Sequence, residues 1–430
     1  MVKINLKILS LLFVCLLISC NNNGNNDKDD LVYWSSNNSY EINYARQLTE
    51  EWNKNNLEFK VSFQPVPEGQ SSEEIILAAV VGETTPDIYS NMWQGDVEAY
   101  AQANVLIPLD TLDGFMEFLY DRCNTSTIEE IRSLDGHIYQ IPWKINPIML
   151  IYNENIIRDL SLKRPPKDYS EFLESSKEFK KDADGDGYID RWFGYAEVQV
   201  TWWQRFFDFY PLYLASSGGA SLVKDGKAVF NNEHSINVFK FLRTLYKNNY
   251  FSKEKLSARQ DVFLSRVIAT RFTGPWEIMH ADNFKTDDFE YNFVSMPVPD
   301  DHEGPVYTYG DPKNIVIFNT CKKPENAWQY LKTMISDEGD LQLLNITNQL
   351  PRRKDLLENN LFQKYFNNNI KMKVFAQQAK YVKGTDASPV LKEVFDLISQ
   401  QYEACVVYGI KTPEQAIQDA ADAVNLLFLD

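Results

Sequence analysis

The sequence is poor in the residues that most often carry chemistry. Its four His in 430 residues include His137 and His302 in separate loops, and no His-x-x-His pair for a metal or Ser-His-Asp order for a nucleophile is visible. Five Cys without a Cys-x-x-Cys spacing exclude a zinc ribbon or a dithiol redox centre. Beyond Cys20, residues Cys123, Cys321 and Cys405 can form one disulfide and a free thiol, or remain three buried thiols. Basic residues are in the minority, 43 Lys and Arg against 60 Asp and Glu, for a formal net charge of −17. They form no cluster, which argues against nucleic acid and against a basic grip on anionic lipid. Carboxylates are so plentiful that no pair stands out as the acid and base of a glycosidase. No apolar run spans a bilayer, since Ile8 to Ile18 falls well short of the roughly 20 residues a helix needs.

What is present points to a folded chain, with 44% hydrophobic and 13% aromatic residues and a length that suggests two or three domains. Lys3 and Lys7 precede the Ile8–Ile18 run as in a signal peptide. Leu17-Ile18-Ser19-Cys20 looks like a bacterial lipobox, in which cleavage before Cys20 frees its thiol for lipid. Residues 21–30, rich in Asn and Asp, read as a flexible tether. The expectation is therefore a signal peptide over 1–19, a lipidated Cys20 with a tether over 20–30, and a folded part anchored in the cell envelope, facing the periplasm or the exterior.

The folded part opens as an α/β chain. Leu31 to Trp34 is a strand, and Ser39 caps a helix with Ile42, Ala45, Leu48 and Trp52 on one face. Leu57, Phe59, Val61 and Phe63 alternate with polar residues as a second strand. Ser72 starts a helix through Val81, and Pro86-Asp87-Ile88-Tyr89 leads into a third strand, so the order is that of a parallel sheet. Further on, Ile268 to Thr273 predicts a strand that delivers the turn Gly274-Pro275 to a helix start, with Trp276 held on it. In open α/β folds ligands bind where such turns cluster. Trp34, Trp93, Trp143 and Trp276 all lie near strand ends, which predicts a cleft lined with indole faces. One of Trp202 and Trp203 reaches it, with Trp203 the chosen candidate. Pyranose C–H faces stack on indole, and sugar hydroxyls find partners in Ser36, Asn38, Gln94, Asn146, Tyr309, Asp311 and Arg352.

Asp182-Ala-Asp184-Gly-Asp186-Gly-Tyr188-Ile-Asp190 matches an EF-hand-type calcium loop, with carboxylates at positions 1, 3, 5 and 9, the Tyr188 carbonyl at 7 and Gly187 at the sharp turn. Phe193 stands at position 12, where a bidentate Glu is usual, so Glu197 or water must complete the shell. The alternative is an acidic Asp-Gly turn.

Phe272-Thr273-Gly274-Pro275-Trp276 resembles the Gly-Pro-Trp element of the family 1 extracellular solute-binding proteins, the sugar-binding subunits of bacterial ABC importers. Pro86-Asp87-Ile88 with Trp93-Gln94 and Ala99-Tyr100-Ala101 is similar to the family's opening. Tyr152-Asn153 and Leu350-Pro351-x-Arg353 are similar to two of its crossings between domains, and Phe293 to Pro299 recrosses between them. The resemblance implies a type II periplasmic-binding-protein-like fold of two hinge-linked domains with three crossings, 31–145 plus 297–348 and 146–296 plus 349–430. It also implies that Trp276 stacks on a bound sugar, that Asn146 contacts it at the hinge, that calcium is structural, and that no organic cofactor is needed. The expected partners are a sugar or oligosaccharide and the transmembrane subunits of an ABC permease, with the protein itself a monomer. The other readings are a sensor's binding subunit, a binder of a non-sugar solute and, last, a secreted glycosidase.

Overall fold

The computed structural model describes residues 30–67, 71–179, 181–256 and 261–429. The expected signal peptide, Cys20 and nearly all of the tether lie outside the described residues. In chain order the strands are β1 (Leu31–Ser35), β2 (Val61–Pro65), β3 (Ile88–Trp93), β4 (Ile141–Ile145), β5 (Met149–Asn153), β6 (Trp192–Tyr195) and the hairpin β7 (Val223–Lys224) with β8 (Lys227–Ala228). They continue with β9 (Ile268–Thr273), β10 (Tyr291–Val294), β11 (Thr308–Tyr309), β12 (Lys313–Ile317), β13 (Leu350–Pro351) and β14 (Val382–Lys383).

The first lobe holds a six-stranded sheet in the order β13-β4-β12-β3-β1-β2. Strand β1 pairs in parallel with β2 and β3, each reached through a helix, Ser39–Asn55 and Ser72–Val81. Because side chains alternate along a strand, Tyr33, Ile88 and Ile315 enter one core layer while Trp34, Tyr89 and Val316 enter the other. The second lobe repeats this around the sheet β10-β5-β9-β6, with Leu150 and Phe272 in one layer and Met149, Ile151 and Phe293 in the other.

Three crossings join the lobes: β4 to β5, β10 to β12 by way of β11, and the exit from β13. They are tied to one another, since the Asn146 N–H donates to the Gly310 carbonyl (2.6 Å), Ile148 N–H to Tyr309 (2.8 Å) and Gly310 N–H to Lys383 (2.9 Å). Strand β13 pairs with Ile145 and Lys144 of β4, so the first lobe's sheet keeps the chain through Pro351, beyond the expected boundary at 348.

Several local expectations are refined. Asn38, one residue before Ser39, caps the first helix by accepting from the Tyr40 and Glu41 N–H groups. The second strand begins at Val61, opposite Leu31, and Leu57 is 87% exposed; the chain ahead of the register has no neighbouring strand to pair with. The aromatic stretch after Thr201 divides into a 3-10 turn, Trp202–Phe206, and a helix, Phe209–Ser217. Cys123, Cys321 and Cys405 are all buried free thiols. Trp34 and Trp143 are not cleft platforms but core residues, at 9% and 0% exposure, covered by the helices that flank the first lobe's sheet.

Candidate functional site

Strand β3 ends in Trp93 at the edge of the first lobe, and the 3-10 turn presents Trp202 to it from the second. Their rings meet at 4.8 Å and 41° across the gap between the lobes, with Phe206 edge-on at 5.5 Å. The Trp93 indole lies back over its own chain: a Cβ on Gly95 would fall 2.2 Å from the ring, so only glycine fits there. Trp93 Nε1 donates to the Tyr309 hydroxyl (3.0 Å), which donates in turn to Asp311 (3.3 Å). Burial pushes the Tyr309 phenol well up, and the Asp311 carboxylate adds to the shift, so it remains a donor at any ordinary pH.

These groups open onto a cavity of about 460 Å³, walled by Trp93, Trp202, Trp203, Phe206 and Phe207, with Glu73, Asp311 and Lys313 at its polar end. Lys313 stands 3.7 Å from Glu73 and 3.8 Å from Asp311. Burial acts against its charge, but Asp311 and Glu73 more than reverse this and hold its pKa above the usual value. A further interlobe contact runs from Lys392 to Asp96 (2.7 Å), with the ammonium 5.7 Å from the Trp93 ring and 5.3 Å from the Trp202 ring.

Trp203 and Phe207 also wall a second cavity of about 500 Å³ on the second lobe, with Tyr195, Glu197, Asp261 and Arg271 around it. Trp276 borders this region. It is 40% exposed, lies edge-on to Phe207 at 6.2 Å, and folds back over the turn so closely that a Cβ on Gly274 would fall 2.1 Å from its ring.

The structure thus brings Trp93, Trp203, Tyr309 and Asp311 to one cavity, with Trp276 beside its wall. Asn146 is buried at the first crossing, and its Oδ1 has no partner among the described residues. The other candidates are engaged elsewhere. Ser36 donates to Glu41 (2.7 Å), and the Asn38 side chain is used as a helix cap. Gln94 and Arg352 meet Glu130 at 3.2 and 2.7 Å, and Arg352 lines a separate cavity of about 280 Å³ with Glu130 and Lys383. Sequence reasoning missed Trp202 as a wall residue, and with it Phe206, Phe207, Glu73 and Lys313. The i,i+4 pairs Trp202/Phe206 and Trp203/Phe207 were the available signal, because that spacing stacks side chains on one face of a helical turn.

In the acidic loop, Asp182, Asp184 and Asp190 place carboxylate oxygens within 4.8 Å of one another, and Gly185 and Gly187 take positive φ of 86° and 93°. Oxygen donors gathered in a turn that only glycine adopts readily suit a hard cation. Asp186 is outside this trio; its Oδ1 accepts from the Tyr188 N–H (2.9 Å). A second grouping, Asp261, Glu277 and His280, is already occupied by Arg271, which reaches Asp261 at 2.9 Å and Glu277 at 2.7 Å.

Two α/β lobes joined by three crossings, with an aromatic, carboxylate-edged cavity between them, define a hinged binding protein of the type II periplasmic class. Comparison with known proteins agrees. Residues 47–373 match the family of bacterial extracellular solute-binding proteins, and the chain belongs to that family. The diacetylchitobiose binding protein DasA of Streptomyces coelicolor is 23% identical over 344 residues, 78% of this chain and 74% of that protein. A putative binding protein of Brucella abortus is 20% identical over 385 residues, 88% of each chain. Among solved structures, uncharacterized protein lmo0859 of Listeria monocytogenes superimposes with a TM-score of 0.81 at 26% identity, covering 93% of this chain and all of that one. The sugar-binding protein MalE of Xanthomonas citri superimposes at 0.77 with 17% identity, covering 93% and 97%.

Proposed function

We propose that this protein is the substrate-binding subunit of an ABC importer, capturing a sugar or oligosaccharide between its lobes and delivering it to a membrane permease. The observation that carries this reading is the interlobe cavity in which Trp93 and Trp202 face each other above the Tyr309–Asp311 pair. Indole faces take the C–H faces of a pyranose, and carboxylates at the rim accept from its hydroxyls. Relatives named for diacetylchitobiose and maltotriose binding support a sugar. The arrangement suits capture and release: rotation about the crossings would part Trp202 from Trp93 to admit a ligand and bring Trp202 and Trp203 back over it. Binding, not catalysis, is its role, with no organic cofactor. A panel of neutral sugars screened by thermal shift tests this, since a ligand at 100 times its Kd stabilises the native state by about 2.7 kcal/mol; no shift with any sugar would refute it.

The protein acts as a monomer in the cell envelope, held through lipid on Cys20 and facing the periplasm or the exterior. Replacing it (Cys20→Ala) should abolish lipid labelling and release the protein; unchanged labelling would refute the anchor.

Calcium would be held by Asp182, Asp184 and Asp190, with the Tyr188 carbonyl, Asp186 and water completing the shell, and would serve as a structural clamp on the loop. For a site with Kd near 10⁻⁴ M, millimolar calcium contributes about 1.4 kcal/mol. Chelation should therefore lower Tm by a few degrees. Asp184→Asn keeps a hydrogen-bond acceptor for the Asp186 N–H and should remove the calcium response, whereas Asp186→Asn should weaken it less. Identical melting curves with and without chelator would leave only an acidic turn.

A further inference from the structure

The two cavities beside Trp203 and Phe207 restrict the ligand further than a sugar in general. Each, at about 460 and 500 Å³, falls within the size range of a complete small-ligand site. They share Trp203 and Phe207 as lining residues, so the two cavities adjoin at that pair. The wall is an aromatic track: Trp202 stands against Trp93 at 4.8 Å, Phe207 against Trp203 at 6.5 Å, and Trp276 against Phe207 at 6.2 Å. Trp203 and Trp276 are 42% and 40% exposed, an arrangement that leaves large apolar faces in water unless something lies on them.

The polar groups along the track have one sign to spare. Lys313 is shared by Glu73 and Asp311, Arg271 by Asp261 and Glu277, and Lys392 is held by Asp96. Glu74 lines the first cavity and Glu197 the second, and among the described residues neither forms an ion pair. A carboxylated or sulfated ligand would have to break an existing pair and face the surplus carboxylates at short range, where like charges repel strongly. A neutral hydroxyl meets the acceptors it needs.

On the reading that the ligand is a sugar, we propose that it is an uncharged oligosaccharide of three or more rings occupying both cavities across Trp203 and Phe207, and that acidic sugars are excluded. One ring lies at the Trp93–Trp202 end, one against the shared wall, and one at the Tyr195–Arg271 end.

Isothermal titration with two neutral series, α-1,4-linked glucose and β-1,4-linked N-acetylglucosamine, each from monosaccharide to hexasaccharide, and with oligogalacturonides of the same lengths, tests both parts. In whichever neutral series binds, affinity should rise by at least about tenfold from disaccharide to tetrasaccharide, and the galacturonides should give no measurable heat. Trp203→Ala should abolish most of that rise, costing the tetrasaccharide at least about tenfold more affinity than the disaccharide. A disaccharide bound as tightly as the tetrasaccharide would overturn the length, and a galacturonide bound as tightly as a neutral oligomer would overturn the exclusion, both leaving the sugar reading intact. Silence from the neutral series and from a wider panel of neutral glycans would remove the sugar reading itself, and this inference with it.

Discussion

Lys144→Met should destabilise the protein by about 3–5 kcal/mol at pH 7, the penalty for removing one partner of a buried ion pair. Lys144 lies on β4 beside the first crossing, and its ammonium contacts the Glu41 carboxylate, with both side chains nearly sealed from solvent at 2% and 4%. Burial pushes the Glu41 carboxyl up, but the Lys144 ammonium, aided by hydrogen bonds from Lys144, Ser36 and Gln349, more than reverses this and holds it below the usual carboxylate range. The pair's contribution is therefore present above the unfolded carboxyl pKa of about 4.3 and lost as pH falls through the lower folded value. In the variant the sign inverts. Glu41 keeps only the neutral donors Ser36 and Gln349, its folded pKa rises above the unfolded one, and the penalty applies above that unfolded value. Urea unfolding at pH 7 and at pH 4 should accordingly show the gap between variant and parent narrowing in acid. The double variant Lys144→Met with Glu41→Leu should recover much of the loss, because a buried pair can often be replaced by apolar groups at little cost. A Lys144→Met protein as stable as its parent at pH 7 would mean that the pair is not buried as described.

Trp202→Ala should weaken binding of the preferred neutral oligosaccharide by about 2–4 kcal/mol, the range of aromatic anchors at binding sites. The ring forms part of the cavity wall and also meets Trp93 from the other lobe, so its loss removes a stacking face and one of the contacts made on closure. The fold should tolerate the change better than binding does. Phe206 retains its packing on Phe395 at 4.1 Å and Tyr309 at 4.7 Å, and Trp202 itself is only partly buried. Isothermal titration beside urea unfolding separates the two effects. Unchanged affinity would place the ligand elsewhere, and collapse of the fold would make Trp202 a core residue.

The legible parts of the site are those written in short stretches of chain. The acidic loop could be read directly because its candidate ligands lie within nine residues, and the Gly274-Pro275-Trp276 turn because a glycine just before a large ring marks a close approach. Gly95, two residues after Trp93, has the same meaning and was overlooked. The strand-end rule for tryptophans was half informative: Trp93 lines a cavity and Trp276 stands against the Phe207 of its wall, whereas Trp34 and Trp143 are in the first lobe's core. A position at a strand end locates a side chain along the strand axis, but not which element of another segment will cover it. Ser36, Gln94 and Arg352 were plausible hydroxyl partners by residue type, yet each is engaged by Glu41 or Glu130, carboxylates on other elements.

The sequence alone therefore determined the α/β class and the parallel opening of the first sheet, through period-two and helical spacing that act within about ten residues. By resemblance it also pointed to the hinged, two-domain plan, which the crossings and the family match bear out. Tertiary structure alone decided which aromatics form a wall and which a core, and which cations are free. Glu73 and Lys313 are far apart in sequence but meet at 3.7 Å, as do Asp96 and Lys392 at 2.7 Å. Coulomb forces and stacking act through space and fall off steeply with distance, so the charge and shape of the cleft come into being only when the two lobes are brought face to face.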